Sequence, residues 1–241
     1  MSNNISPFFD FNTDFILYGV QHNTVIILII CLSIGLPIVT KRYFNPNQQL
    51  LISRIMAICI FVWVILYVFI LFYLGKFNYK TDLPLDICNI IGLLVPFLMW
   101  NPNSRIFPYL YFYIMAGTTQ AVFTPHLFDG FPNFIFIKYW VVHGGLIIYI
   151  LYVAIIWKFQ LNLMDLWRSF LFIQIYVLLV YLINILIGAN YVYLVKPPTY
   201  SILDYFGPWP VYIFVCEVIL LFLCFMVYLP YMKSQEEKKI S

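Results

Sequence analysis

Cys88 and His143 are the side chains on which nucleophilic chemistry in this sequence would rest. Cys88 stands near the end of the run Asp82-Leu83-Pro84-Leu85-Asp86-Ile87-Cys88-Asn89, just behind Pro84, a residue favoured at the first position of a helix. A helix N-terminus favours the anionic form of a nearby thiol, whereas apolar surroundings favour the neutral form. Such a thiol becomes a nucleophile only with a base beside it. His143, about nine residues into a later apolar segment and followed by Gly144-Gly145, is the best candidate for that base. The glycines are read as leaving room for a ligand beside the imidazole. At 100° per residue along one helix, Cys88 falls well away from the face of Asp86.

The elements that must hold these groups follow from composition. Of 241 residues, 63% are hydrophobic and 10% charged. A water-facing surface ordinarily needs about 25% charged residues, so most of this surface must face lipid. The 21% aromatic share fits, because Tyr and Trp gather at the membrane interface. A net charge of +3 spread along the chain gives no support to nucleic-acid binding. The five cysteines form no CxxC pair and no zinc-like spacing with histidine, so no metal is expected, and no cofactor is implied. No nucleotide-binding motif is present.

Seven apolar segments, at roughly 20–40, 53–74, 86–100, 106–123, 134–157, 168–188 and 208–231, predict an all-α, polytopic membrane bundle of about seven spans forming a single domain. The N-terminus lacks a basic signal-peptide stretch, and the first segment reads as a retained span. The third and fourth segments are short and contain Pro96 and Pro108, which predicts a kinked or re-entrant element. Nine Lys and Arg fall in the connections on one side, and four, Lys76, Lys80, Lys138 and Lys196, are counted in those on the other. The positive-inside rule then puts the N-terminus outside, the C-terminus in the cytoplasm, and the chain in the cell membrane as a multi-pass protein. This orientation gathers the unusual loops on the outer side: Asp82 to Asn89, Thr124-Pro125-His126, Asn190-Tyr191 and Pro208-Trp209-Pro210.

Polar side chains at bilayer depth are costly and mark candidate sites. Asp86, Asn89, Gln120, Asn190, Tyr191, Trp209 and Glu217 are therefore set beside Cys88 and His143 as substrate-binding or supporting residues. Gln174, Tyr181, Asn184 and Gly188 form one stripe of the sixth segment, a pattern that often glues helices together with Gly allowing close approach. His22 and His126 are read as exposed groups near the outer interface.

The set Leu83-Pro84-Leu85-Asp86-Ile87-Cys88, Thr124-Pro125, Gly130-Phe131-Pro132, His143-Gly144, Asn190-Tyr191-Val192-Tyr193-Leu194 and Lys196-Pro197 resembles the YwaF-type bacterial integral membrane proteins. Ser201-Ile202-Leu203-Asp204 and Gly207-Pro208-Trp209-Pro210-Val211-Tyr212 resemble the same family, which is related to eukaryotic transmembrane protein 164. The resemblance covers nearly the whole chain. It implies movement of acyl chains between membrane phospholipids, with a membrane-embedded Cys and a His on a later helix at the positions of Cys88 and His143. It further implies an acyltransferase or lipid hydrolase; polarity and expected depth, not the resemblance, nominate Asn190, Gln120 or Tyr191 to hold the ester carbonyl oxygen. The competing expectation from the residues is a small-molecule transporter or substrate-binding membrane subunit, since broken helices and midplane polar groups also mark carriers.

Overall fold

A computed structural model describes residues 14–198 and 202–240, with side chains up to position 232 except that of Ile202. Regular structure among the described residues is helical, apart from one isolated bridge between Asp14 and Asp129. The main elements are α1 (Val20–Tyr43), α2 (Pro46–Tyr73), α3 (Ile87–Leu98), α4 (Phe107–Phe112), a π-helical stretch (Tyr113–Thr118), α5 (Thr119–Phe123), α6 (Phe134–Trp157), α7 (Leu163–Ile187) and α8 (Val211–Ile240). Two 3₁₀ turns, Tyr191–Tyr193 and Ile202–Phe206, lie between α7 and α8.

Five of these helices are long and apolar enough to cross a membrane: α1, α2, α6, α7 and the Val211–Met232 part of α8. The third and fourth segments differ from full-length spans. α3 has 12 residues, about 18 Å of helix against roughly 30 Å of hydrocarbon. The fourth runs continuously through 107–123, and its irregularity is the π stretch, not a kink at proline. Pro108 sits in the first turn of α4, where its missing N–H is no loss. Sequence alone also placed the starts of α2 and α7 several residues late. Their first turns are polar and capped by reciprocal pairs, Asn45 with Gln48 and Asn162 with Asp165, which apolar runs do not reveal.

α6 is the central post. Half of its most apolar window is buried, against 17–22% in the other long helices, and it packs on α1, α2, α3 and the π stretch. The close approach depends on glycine. A Cβ on Gly144 would meet Ile29 Cδ1 of α1 at 2.8 Å, and one on Gly145 would meet Ile60 Cγ1 of α2 at 3.1 Å. The expectation that these glycines leave ligand space beside His143 is therefore corrected: two isoleucines fill it. Gly144→Val should destabilise the protein by about 1–3 kcal/mol through overpacking. Gly35→Val, on open space, should be nearly neutral; thermal unfolding of both variants in one detergent checks this.

At the end of the bundle opposite the site, Arg54 of α2 donates to Trp100 O at 3.0 Å and to Asn101 Oδ1 at 2.9 Å. Its guanidinium stacks 4.6 Å over the Trp100 ring. This fixes the turn after α3, and so the level at which α3 begins at its other end.

Candidate functional site

Cys88 and His143 line one cavity of about 670 Å³, together with Asp86, Asn89, His126, Lys138, Tyr139 and Tyr193. Four elements converge there: the start of α3, the end of α5 with the turn that follows it, the first turns of α6 and the 3₁₀ turn after α7. α3 begins at Ile87, three residues after Pro84, with Asp86 as an extended N-cap (ψ 144°) that makes no side-chain cap bond. Because Asp86 stands outside the helix, the angular separation expected from Cys88 does not apply, and both residues face the same hollow.

Cys88 is buried, and its Sγ lies 3.3 Å from Thr118 Oγ1, close enough for a hydrogen bond. Thr118 is wholly buried at the last position of the π stretch. It lies five residues below the end of α5, about 8 Å at helical rise. α3 thus starts below the rim of the bundle, and the thiol of its second residue is sunk among apolar side chains. π-helical turns shift the phase of a helix and occur frequently at functional sites; this one aims a hydroxyl at the sulfur. Nothing in the apolar pattern of the fourth segment signals that turn, and Thr118 was not singled out from sequence.

His143 sits deeper on α6. Its Nδ1 is 2.8 Å from Tyr139 O, and its ring stacks on Tyr139 with centroids 4.0 Å apart. A carbonyl oxygen can only accept, so Nδ1 carries the proton and the neutral ring has its lone pair on Nε2. Among the described residues no hydrogen bond joins Cys88 to His143; they share a cavity wall, and the thiol's partner is Thr118.

Lys138 is the group that sequence reading placed wrongly, as a loop charge. It lies five residues before His143 on α6, donates to Asn89 Oδ1 at 3.0 Å and stands 4.7 Å over the Tyr67 ring. It also borders a second, polar hollow of about 90 Å³ with Asp82 and Asp86. A lysine four residues inside an apolar segment is itself the signal. Asn89, proposed as a supporting residue, is placed here as the acceptor that holds this ammonium over the cavity.

The other candidates lie elsewhere. Gln120 is exposed on α5 and absent from the cavity wall. Asn190 organises its own loop, accepting from Val195 N and Lys196 N and donating to Lys196 O. Tyr191 is a buried pin: its hydroxyl donates to Tyr79 O and accepts from Leu83 N, while Asn184 clasps its backbone N–H and carbonyl. None of the three is in place to hold a carbonyl oxygen in the cavity; each spends its hydrogen bonds on fixing the loops that frame it. Trp209 donates from Nε1 to Leu194 O at 3.1 Å and is half exposed. Glu217 accepts from Gln174 Nε2 at 2.7 Å, a polar clasp between α7 and α8 away from the cavity. Gly188 does not give close helix contact; it ends α7 in the left-handed region at φ 66°.

His22, expected to be exposed, is fully buried. Its Nδ1 accepts from Tyr18 N at 3.0 Å and its Nε2 donates to Val122 O at 2.8 Å, amid Phe15, Tyr18 and Trp140. With both nitrogens used, it is a staple between the starts of α1 and the end of α5. His126 is exposed at the cavity mouth, with Nδ1 3.2 Å from the Tyr193 hydroxyl. Partial desolvation of its ring between the loops holds the His126 pKa below its usual value, and burial pushes that of Tyr193 up. At neutral pH the phenol therefore keeps its proton and donates it to the neutral imidazole.

The residues carrying this geometry fall within a stretch, 17–228, that matches the model of the TMEM164 family. No curated protein and no solved structure matches the chain. The match meets the transmembrane protein 164 side of the resemblance drawn from the sequence motifs. A family model that covers the whole lining of the cavity and nearly all of the five long apolar helices leads to one conclusion: the chain belongs to the TMEM164 family of membrane proteins.

Proposed function

We propose that the protein transfers acyl chains between phospholipids through a thioester on Cys88, in a multi-pass arrangement with the cavity opening at the outer face of the cell membrane. The observation that carries this reading is one hollow, walled by a sunken thiol, an imidazole whose Nε2 makes no hydrogen bond among the described residues, and an ammonium. The excess of basic residues at the other end supports the orientation.

In the first half-reaction the Cys88 sulfur attacks the ester carbonyl of a donor phospholipid. His143 Nε2 takes the thiol proton, the carbonyl oxygen becomes negative, and its collapse breaks the ester C–O bond. The proton passes from the imidazolium to the departing lysophospholipid oxygen. In the second half an acceptor hydroxyl gives its proton to the same Nε2, attacks the thioester carbonyl, and the sulfur leaves and regains a proton. Lys138, held by Asn89 above the cavity, is the donor placed to neutralise charge on the carbonyl oxygen or on the phosphate of the headgroup. The burial that surrounds the sulfur keeps water from the thioester, so an alcohol acceptor competes well with hydrolysis. The carrier reading loses an acidic group from the cavity, because Glu217 is bound to Gln174 away from it.

The test is purified protein in vesicles holding a phospholipid with one isotopically marked acyl chain and an unmarked lysophospholipid. The marked chain should appear on the lysophospholipid by lipid mass spectrometry, and a marked acyl group should be trapped on Cys88 when the acceptor is omitted. Neither product above protein-free vesicles would sink the proposal.

A further inference from the structure

We infer that a groove beside the cavity is the seat of the transferred acyl tail. Ile87, Ile90, Ile91, Leu94 and Leu98 form one stripe of α3, at spacings of three, four and seven residues, and face Ile106, Tyr109 and Phe172 across a hollow of about 550 Å³. Arg105 lies among the residues at its far end. The opposite side of α3 is committed to protein, since a Cβ on Gly92 would meet Ile60 and Val64 of α2 at 3.1 Å. The stripe is thus the face of a short helix that looks onto the hollow.

Two features name the occupant. Ile87 lines both this groove and the cavity that holds Cys88, the next residue, so a chain bonded to the sulfur has an apolar channel immediately beside it. Length is the second. From Ile87 to Leu98 the stripe covers about 16 Å, and one tail fills about half of a hydrocarbon layer roughly 30 Å thick, or about 15 Å. At the upper rim the Tyr176 hydroxyl donates to Leu85 O, which fixes α7 against the approach to α3 and holds the mouth of the groove beside the thiol. A tail whose carbonyl is at Cys88 therefore ends near Leu98 and Ile106, and Arg105 marks the point beyond which further methylenes meet a cation.

This inference rests on the acyl-transfer reading for its purpose, but occupancy is measured without turnover. A phospholipid bearing a diazirine at the end of one acyl chain is photolysed in vesicles containing Cys88→Ser protein, and labelled residues are located by mass spectrometry. Labelling should concentrate at Leu94, Leu98 and Ile106, at least fivefold above Leu182 and Ile185, exposed apolar residues on α7. Leu94→Trp, at a half-exposed position that tolerates bulk, should lower groove labelling at least fivefold and leave the α7 residues unchanged. Equal labelling at all five positions, or no response to Leu94→Trp, overturns the groove. Groove labelling without any acyl transfer by the wild-type protein would leave the groove standing and remove the thioester reading. Acyl transfer with evenly spread labelling would do the reverse.

Discussion

Cys88→Ser should reduce acyl transfer by roughly 10³-fold or more while leaving the protein folded, because it removes the proposed nucleophile from a proposed unit whose members act together. The substitution exchanges one small polarisable atom for a smaller oxygen at a position whose partner, Thr118 Oγ1, can hydrogen-bond with either. Its structural cost is therefore small, and unfolding should occur within a few degrees of wild type. The chemical cost is large. A serine hydroxyl is far harder to ionise than a thiol, and here it would sit on a buried wall, bonded to Thr118 and without a hydrogen bond to His143. The readouts are the rate of marked-chain transfer and the covalent acyl adduct on the peptide containing position 88. Transfer within threefold of wild type would remove Cys88 from the mechanism, whatever lipid is used.

Much of the frame was legible in the sequence, because bilayer-length apolar runs are a one-dimensional signal. α1, α6 and the span of α8 lie close to where hydropathy put them, and the all-helical fold follows from composition. What hydropathy missed has definite causes. The polar capped turns of α2 and α7 belong to helices but not to apolar runs. Gly144 and Gly145 look alike whether they make space or close it, and only the positions of Ile29 and Ile60 decide. Glu217 and Gln174 are 43 residues apart in the chain, and their clasp depends on how α7 and α8 are rotated.

The site was legible at its two poles and not between them. Cys88 and His143 were chosen from residue type and depth, and the fold puts them on one cavity wall. Thr118 was given no role because a π turn leaves no mark in an apolar pattern. Lys138 escaped because it was counted with loop charges, although its four-carbon stem lies well within α6 and its ammonium is tied to Asn89. The loop residues Asn190 and Tyr191 were chosen for polarity. In the fold that polarity is consumed by backbone groups of the loops themselves, as buried polar atoms require.

His143→Gln should lower acyl transfer by about 10²–10⁴-fold, the usual span for losing a general base. Glutamine preserves length and an N–H that can reach Tyr139 O, so the α6 surroundings change little, but its amide has no basic lone pair. Since the same imidazole is assigned to both half-reactions, no acyl-Cys88 should accumulate from donor lipid alone. If it served the second half alone, the adduct would build up instead, and the base for the first step would have to be found elsewhere in the cavity. His22→Gln supplies the contrast. His22 uses Nδ1 to accept from Tyr18 N and Nε2 to donate to Val122 O, and it faces Trp140 and Phe15, away from the cavity. Loss of one of those bonds should cost stability of about 1–3 kcal/mol and leave the transfer rate per folded molecule intact. A transfer rate unchanged in His143→Gln, or lost equally in both variants in proportion to unfolded protein, would show that the imidazole of α6 is structural like its counterpart on α1.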